Sequence, residues 1–110
     1  MAREGITYET HEKNGWTVWE IKGSIDMTTA NAAEEKGGKL LTDSSRLAID
    51  MAGVEYLSSA GLRILLRLAK RAKKEGKGFA LVAAQGMVAT VLKESRMDMI
   101  ISIVSSLDEL

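Results

Sequence analysis

Leu47-Ala48-Ile49-Asp50-Met51 runs through Gly53-Val54-Glu55-Tyr56-Leu57 and Ser58-Ser59-Ala60-Gly61 into Leu62-Arg63-Ile64-Leu65-Leu66-Arg67-Leu68-Ala69-Lys70. The first block is an apolar run of strand length ending on an acid, as a strand buried on both faces does where it emerges into solvent. The last block has a helical period. Leu62, Leu65, Leu66 and Ala69 fall on one side, while Arg63, Arg67, Lys70 and Lys74 follow one another on another side at steps of three or four. The stretch therefore reads as a strand, a loop over residues 53–57, and a helix with an apolar inner wall and a basic outer one. Ser58 and Ser59 stand where that helix begins. A hydroxyl there accepts from an otherwise unpaired backbone N–H, which explains one of the two serines. The same helix end carries about half a positive charge and free N–H donors, so a phosphate on a serine there is held without unfolding the element.

Outward from this centre, residues 6–10 and 16–22 read as strands joined through Lys13-Asn14-Gly15. Asn-Gly tolerates the positive φ of a type I′ turn, so the two strands are expected to be antiparallel. Residues 28–41 read as a helix capped by Thr28 or Thr29, with Gly37-Gly38 expected to bend or fray its second half. Gly76-Lys77-Gly78 stops the central helix, and Phe79-Ala80-Leu81-Val82 reads as a buried strand. Residues 86–95 suit a helix with Met87, Val88, Val91 and Leu92 inward, and residues 99–104 a last strand. Ser106-Leu107-Asp108-Glu109 has the form of a capping box, which predicts the start of a terminal helix.

The order is β-β-α-β-α-β-α-β-α. It implies an α/β fold whose mixed, mainly parallel sheet has four or five strands, an N-terminal hairpin and three to five helices. Sites in such sheets lie beyond the carboxyl ends of the strands, where Asp26, Asp50 and Ser58-Ser59 are expected to gather.

The length, 110 residues, suits one domain spanning 1–110. Lys+Arg and Asp+Glu balance at 15 each, so no overall field favours nucleic acid or anionic lipid. The charge is uneven. Residues 62–77 hold seven basic side chains against Glu75 alone, net +6, which leaves −6 on the rest. A basic stripe of this kind is either a docking surface or a solvated helix face. It has no interleaved aromatic residues for stacking on bases, which argues against nucleic acid. There is no cysteine, so disulfide and cysteine-based metal or redox chemistry are absent. No run approaches the roughly 18 apolar residues of a membrane span, and Met1-Ala2-Arg3-Glu4-Gly5 lacks a signal peptide's layout. A cytoplasmic protein is expected.

Catalysis finds little support. Leu57-Ser58-Ser59-Ala60-Gly61 is not a G-x-S-x-G elbow, and the only imidazole, His11, belongs to the hairpin. Asp26 and Asp50 are better read as partners for loop N–H groups than as an acid–base or Mg²⁺ pair. No phosphate-binding, dinucleotide or metal-spacing motif occurs, so no cofactor or metal is expected.

Residues 50–62, Asp-Met-Ala-Gly-Val-Glu-Tyr-Leu-Ser-Ser-Ala-Gly-Leu, resemble the signature of STAS domains, specifically the bacterial anti-sigma factor antagonists. Gly23-Ser24-Ile25-Asp26 is similar to that family's Gly-x-Leu-Asp, and residues 101–110 to its closing strand and short helix. The resemblance covers nearly the whole chain. It implies a STAS fold and no enzyme activity. It also implies a partner that is both anti-sigma factor and serine kinase of the GHKL class, together with a PP2C-type phosphatase. The acceptor would be the serine two residues before the glycine, Ser59, with Ser58 as the alternative. Asp26, Ser58, Ser59, Ala60, Gly61 and Arg63 would form the partner-binding surface, and the free protein would be a monomer. The chain departs from the family's pattern twice: Ser58 stands where the antagonists usually carry Asp, and Ala60 replaces their second hydroxyl residue. A non-phosphorylated STAS scaffold or regulatory module is the alternative those departures leave open.

Overall fold

The computed structural model describes residues 6–110. Strands β1 (Ile6–Lys13) and β2 (Trp16–Ile25) form the expected hairpin, with Lys13 opposite Trp16. Asn14 and Gly15 take φ of 54° and 83°, the two left-handed residues that a type I′ turn needs. Helix α1 (Ala30–Asp43), β3 (Arg46–Leu57), α2 (Ser59–Lys74), β4 (Gly78–Val82) and α3 (Gly86–Glu94) follow. A 3-10 turn over Met97–Met99, β5 (Ser102–Val104) and a second 3-10 turn over Leu107–Glu109 complete the described chain. The five-stranded sheet has the order β1-β2-β3-β4-β5, antiparallel in its first pair and parallel in the rest.

One face of the sheet carries the main core. Trp19, Ile21, Leu47, Ile49 and Leu81 are fully buried beneath Leu41 of α1, Leu65 and Leu68 of α2, and Val88 and Leu92 of α3. Each fully buried large side chain contributes about 1.5–3 kcal/mol. The register places Val18, Ala48 and Ala80 in one row on the opposite face, where all three are also shielded from solvent. Trp16 lies on that face with the Arg46 guanidinium 5.9 Å from its ring centroid. The chain end returns from the β5 edge to the β1 edge, where Asp108 Oδ1 is 3.5 Å from Lys13 Nζ.

Five expectations about the elements are corrected. Residues 53–57 are strand, not loop: β3 continues alongside β2 to the pair Ile25–Leu57, with register shifts between Glu20 and Lys22 and between Gly23 and Ser24. Gly53 makes that path possible, since a Cβ there would lie 2.6 Å from Lys22 Cγ. Helix α1 is continuous over 14 residues, and its Gly37 is buried at the crossing with α2 instead of marking a bend. The last strand begins at Ser102. Arg96, at φ 62°, turns the chain into the first 3-10 turn, so that Met97 and Ile101 face inward while Met99 and Ile100 are left exposed. At the chain end the capping box is not formed. Ser106 makes no side-chain cap bond, Glu109 Oε1 accepts from Ser105 N at 3.4 Å, and Leu107–Glu109 is a single turn. Helix faces shift by a residue or so: Leu62, Leu66 and Val91 are half-buried, Met87 is exposed, and Ile64 and Leu68 take inward positions.

Candidate functional site

The site grows from the last backbone pair of β2 and β3. Ile25 O accepts from Ser58 N at 3.0 Å, with Ser58 Oγ 3.4 Å away, so the end of one strand fixes the start of α2 beside the other. Ser58 has extended backbone (φ −90°, ψ 177°), and its Oγ accepts from Gly61 N at 3.2 Å. Its carbonyl accepts from Leu62 N at 2.9 Å. Ser58 is therefore the N-cap and its hydroxyl belongs to the fold. Ser59 is the first helical residue and is exposed; among the described residues its hydroxyl makes no hydrogen bond. Ala60 is half-buried, Gly61 buried and Arg63 exposed. Arg63 follows Ser59 by four residues, a spacing that puts the two side chains on the same stretch of helix surface.

Asp26 directly follows Ile25, which brings it to this end of the molecule. Its Oδ1 accepts from Thr28 Oγ1 at 2.6 Å and from Thr28 N at 2.9 Å. These bonds, the hydroxyl's first, hold the Asp26 carboxyl below the usual carboxylate range. Thr29 occupies the cap position of α1 but makes no side-chain cap bond. Its buried Oγ1 instead accepts from Asp26 N at 3.0 Å and donates to Ser24 O at 2.8 Å, fastening the loop to the end of β2. Between Asp26 and Thr28, Met27 projects into solvent with 81% of its surface exposed. Tyr56, paired with Ser24 near the ends of β2 and β3, is 47% exposed.

The structure thus brings Asp26 together with Ser58, Ser59, Ala60 and Gly61 through one carbonyl, with Arg63 one helical turn on. Asp50 is not part of this group. Because β3 runs on to Leu57, Asp50 lies seven residues of strand away, on the order of 20 Å, and its Oδ1 accepts from Ala52 N. His11 is paired with Val18 on β1, and its Nδ1 is 4.0 Å from Glu20. Sequence reasoning missed Met27 and Tyr56. Met27 carried a signal: it stands inside Asp26-Met27-Thr28, a short turn sequence that leads into a helix. Among the described residues no three His, Cys, Asp or Glu side chains gather to hold a metal, and no helix is long and apolar enough to cross a membrane.

The STAS domain family model matches residues 7–110. The chain belongs to the STAS domain family. Its curated relatives include the anti-sigma-F factor antagonist RsfB of Mycobacterium tuberculosis, 39% identical over 83 residues that cover 74% of this chain and 67% of that protein. The crystal structure of an anti-sigma factor antagonist from Mycobacterium paratuberculosis superposes with a TM-score of 0.86 at 32% identity, over 94% of this chain and 89% of the other. SpoIIAA in its unphosphorylated form, an anti-sigma factor antagonist, shares the fold at a TM-score of 0.75 and 11% identity, over 94% and 91% of the two chains.

Proposed function

We propose that this STAS domain is an anti-sigma factor antagonist, a binding protein and not an enzyme, whose affinity for an anti-sigma factor is switched by phosphate on Ser59. One observation carries the assignment to Ser59. The two candidate serines differ in that Ser58 Oγ accepts from Gly61 N, whereas Ser59 is exposed and its hydroxyl is not used by the fold. The partner would be an anti-sigma factor that is itself a serine kinase of the GHKL class. It moves the γ-phosphoryl group of ATP to Ser59 Oγ, releasing ADP while a base of the kinase takes the hydroxyl proton. A PP2C-type phosphatase would hydrolyse the ester. A cytoplasmic setting, a single domain over residues 1–110 and a monomeric free state complete the reading.

The switch works by exclusion at an interface. Phosphate adds about −1.5 to −2 charges at a helix end that favours anions, and Arg63 stands one turn away to share the load. The fold changes little. The partner's contact patch, built for Met27, Asp26 and an uncharged serine, must then desolvate a dianion, which costs several kcal/mol; each 1.4 kcal/mol is tenfold in affinity.

The test is intact-mass analysis after incubation with the kinase and ATP, the modified residue being located by fragmentation, beside binding of both forms to the anti-sigma factor. One phosphate on Ser59 with binding weakened by orders of magnitude is expected. Ser59→Asp binding as tightly as the unmodified protein would overturn the mechanism. Phosphate on Ser58 would reassign the acceptor. No modification by the kinase would support the second reading, a non-phosphorylated scaffold, which the Ser58 and Ala60 departures from the family pattern favour.

A further inference from the structure

A second surface lies at the other end of α2. Ala69, Ala72 and Lys73 of α2, Phe79 of β4, Ile100 just before β5 and Ser102 at its start line a groove of about 280 Å³. Ile100 is 56% and the adjacent Met99 77% exposed, so this groove has the most exposed apolar rim outside the Met27 loop. Its lip is basic. Lys73 and Lys77 both line the groove, and Lys70 lies three residues before Lys73 on the exposed side of α2; among the described residues Lys70 and Lys73 form no salt bridge, whereas Lys77 is paired with Glu75.

We propose that this groove docks an acidic amphipathic helix of a partner protein, independently of the switch at Ser59. Apolar side chains of that helix would seat against Ile100 and Phe79, and its carboxylates would face Lys70 and Lys73. Charge selects this occupant. A second copy meeting the groove through a two-fold contact would set lysines against lysines, which costs affinity. Added-strand pairing is disfavoured too, because β5 is three residues long. The groove is remote from the phosphorylation face: Lys73 follows Ser59 by 14 residues of helix, about 21 Å at 1.5 Å per residue.

The probe is a synthetic helical peptide of about 14 residues with leucines at i, i+3, i+4 and i+7 and glutamates elsewhere, titrated into the isotope-labelled full chain beside a scrambled peptide of equal composition. The expected result is amide shift changes confined to residues 69–73, 79 and 100–102. Affinity should fall at least about tenfold for Ile100→Glu and several-fold for Lys73→Glu, decline with added salt, and stay unchanged for the exposed α1 control Lys39→Glu. Ile100 is largely exposed, so Ile100→Glu should keep the fold, checked by its unchanged amide spectrum away from the groove. The proposal is overturned by shifts centred on Met27 and Ser59, by equal binding of the scrambled peptide, or by no binding at millimolar peptide. It is also overturned if these residues respond to protein concentration alone, which would mark a dimer, or to dodecanoate as strongly as to the peptide, which would mark a site for anionic amphiphiles.

Discussion

The carbonyl oxygen of Ile25 and the α-carbon of Gly61 are packed so closely that a Cβ on Gly61 would lie 2.6 Å from that oxygen and 2.7 Å from Leu57 Cδ1. The oxygen cannot retreat, because it already accepts from Ser58 N. Helix α2 therefore seats on the strand ends through a position only glycine fits, and the exposure of Ser59 follows from that seating. Gly61→Ala should lower stability by about 1–3 kcal/mol, the usual range for overpacking. It should also lift the first turn of α2, seen as faster exchange of the amides at position 61 and Leu62. A variant as stable as the parent would mean that the helix end is free to shift.

The two serines should separate in a pair of alanine variants. Ser58→Ala removes the acceptor for Gly61 N and should cost about 0.5–2 kcal/mol, as lost caps do. Ser59→Ala removes an exposed hydroxyl without a partner and should stay within about 0.5 kcal/mol. Urea unfolding of both decides the matter. Equal losses would contradict the division between structural and switchable serine.

What could be read from the chain, and what could not, divides along physical lines. The hairpin at Asn14-Gly15, the strand at Leu47–Met51 and the amphipathic α2 are local signals, and each is where its pattern put it. The meeting of Asp26 with Ser58 followed from topology, since both end parallel neighbours. The strand character of residues 53–57 did not follow, because Gly53 reads as a breaker unless Lys22 is known to pass over it. The same blindness put Asp50 at the strand end. Residues 99–101 look like strand by composition, yet the left-handed Arg96 sends Met99 and Ile100 outward, a choice made by tertiary packing around Met97 and Ile101. Exposure of Met27 was readable in principle from its place inside the Asp26–Thr28 turn.

Asp26 predicts a pH dependence. Its folded-state pKa is lowered, so its carboxylate contributes stability that is fully present above the unfolded value, about 3.9, and lost as pH falls through the lowered folded value. Asp26→Asn keeps an acceptor for Thr28 and cannot titrate. The stability difference between parent and variant should accordingly shrink as pH drops below about 4, measured by denaturant unfolding at a series of pH values. A difference constant from neutral pH down to about pH 2 would show that the turn does not favour the ionised form.

Gly37 and Gly38 are neighbours in one helix with opposite expected responses. A Cβ on Gly37 would sit 2.7 Å from Leu68 Cδ1 and 3.0 Å from Trp19 Cζ3, in the packed seam between α1, α2 and the sheet. A Cβ on Gly38 would meet only Arg71 Nη1 at 2.9 Å, the far end of a flexible side chain at the surface. Gly37→Ala should therefore destabilise by about 1–3 kcal/mol through overpacking, since the buried Trp19 has nowhere to move. Gly38→Ala should stabilise by about 0.5–1 kcal/mol, because alanine loses less backbone freedom in a helix and Arg71 can swing aside. Arg71 donates to Thr42 Oγ1 and pairs with Glu75, so part of that gain is offset if those contacts are displaced. Thermal unfolding of the two variants reads the signs directly, and stabilisation by both would mean that α1 crosses α2 farther from Leu68 than the packing described above.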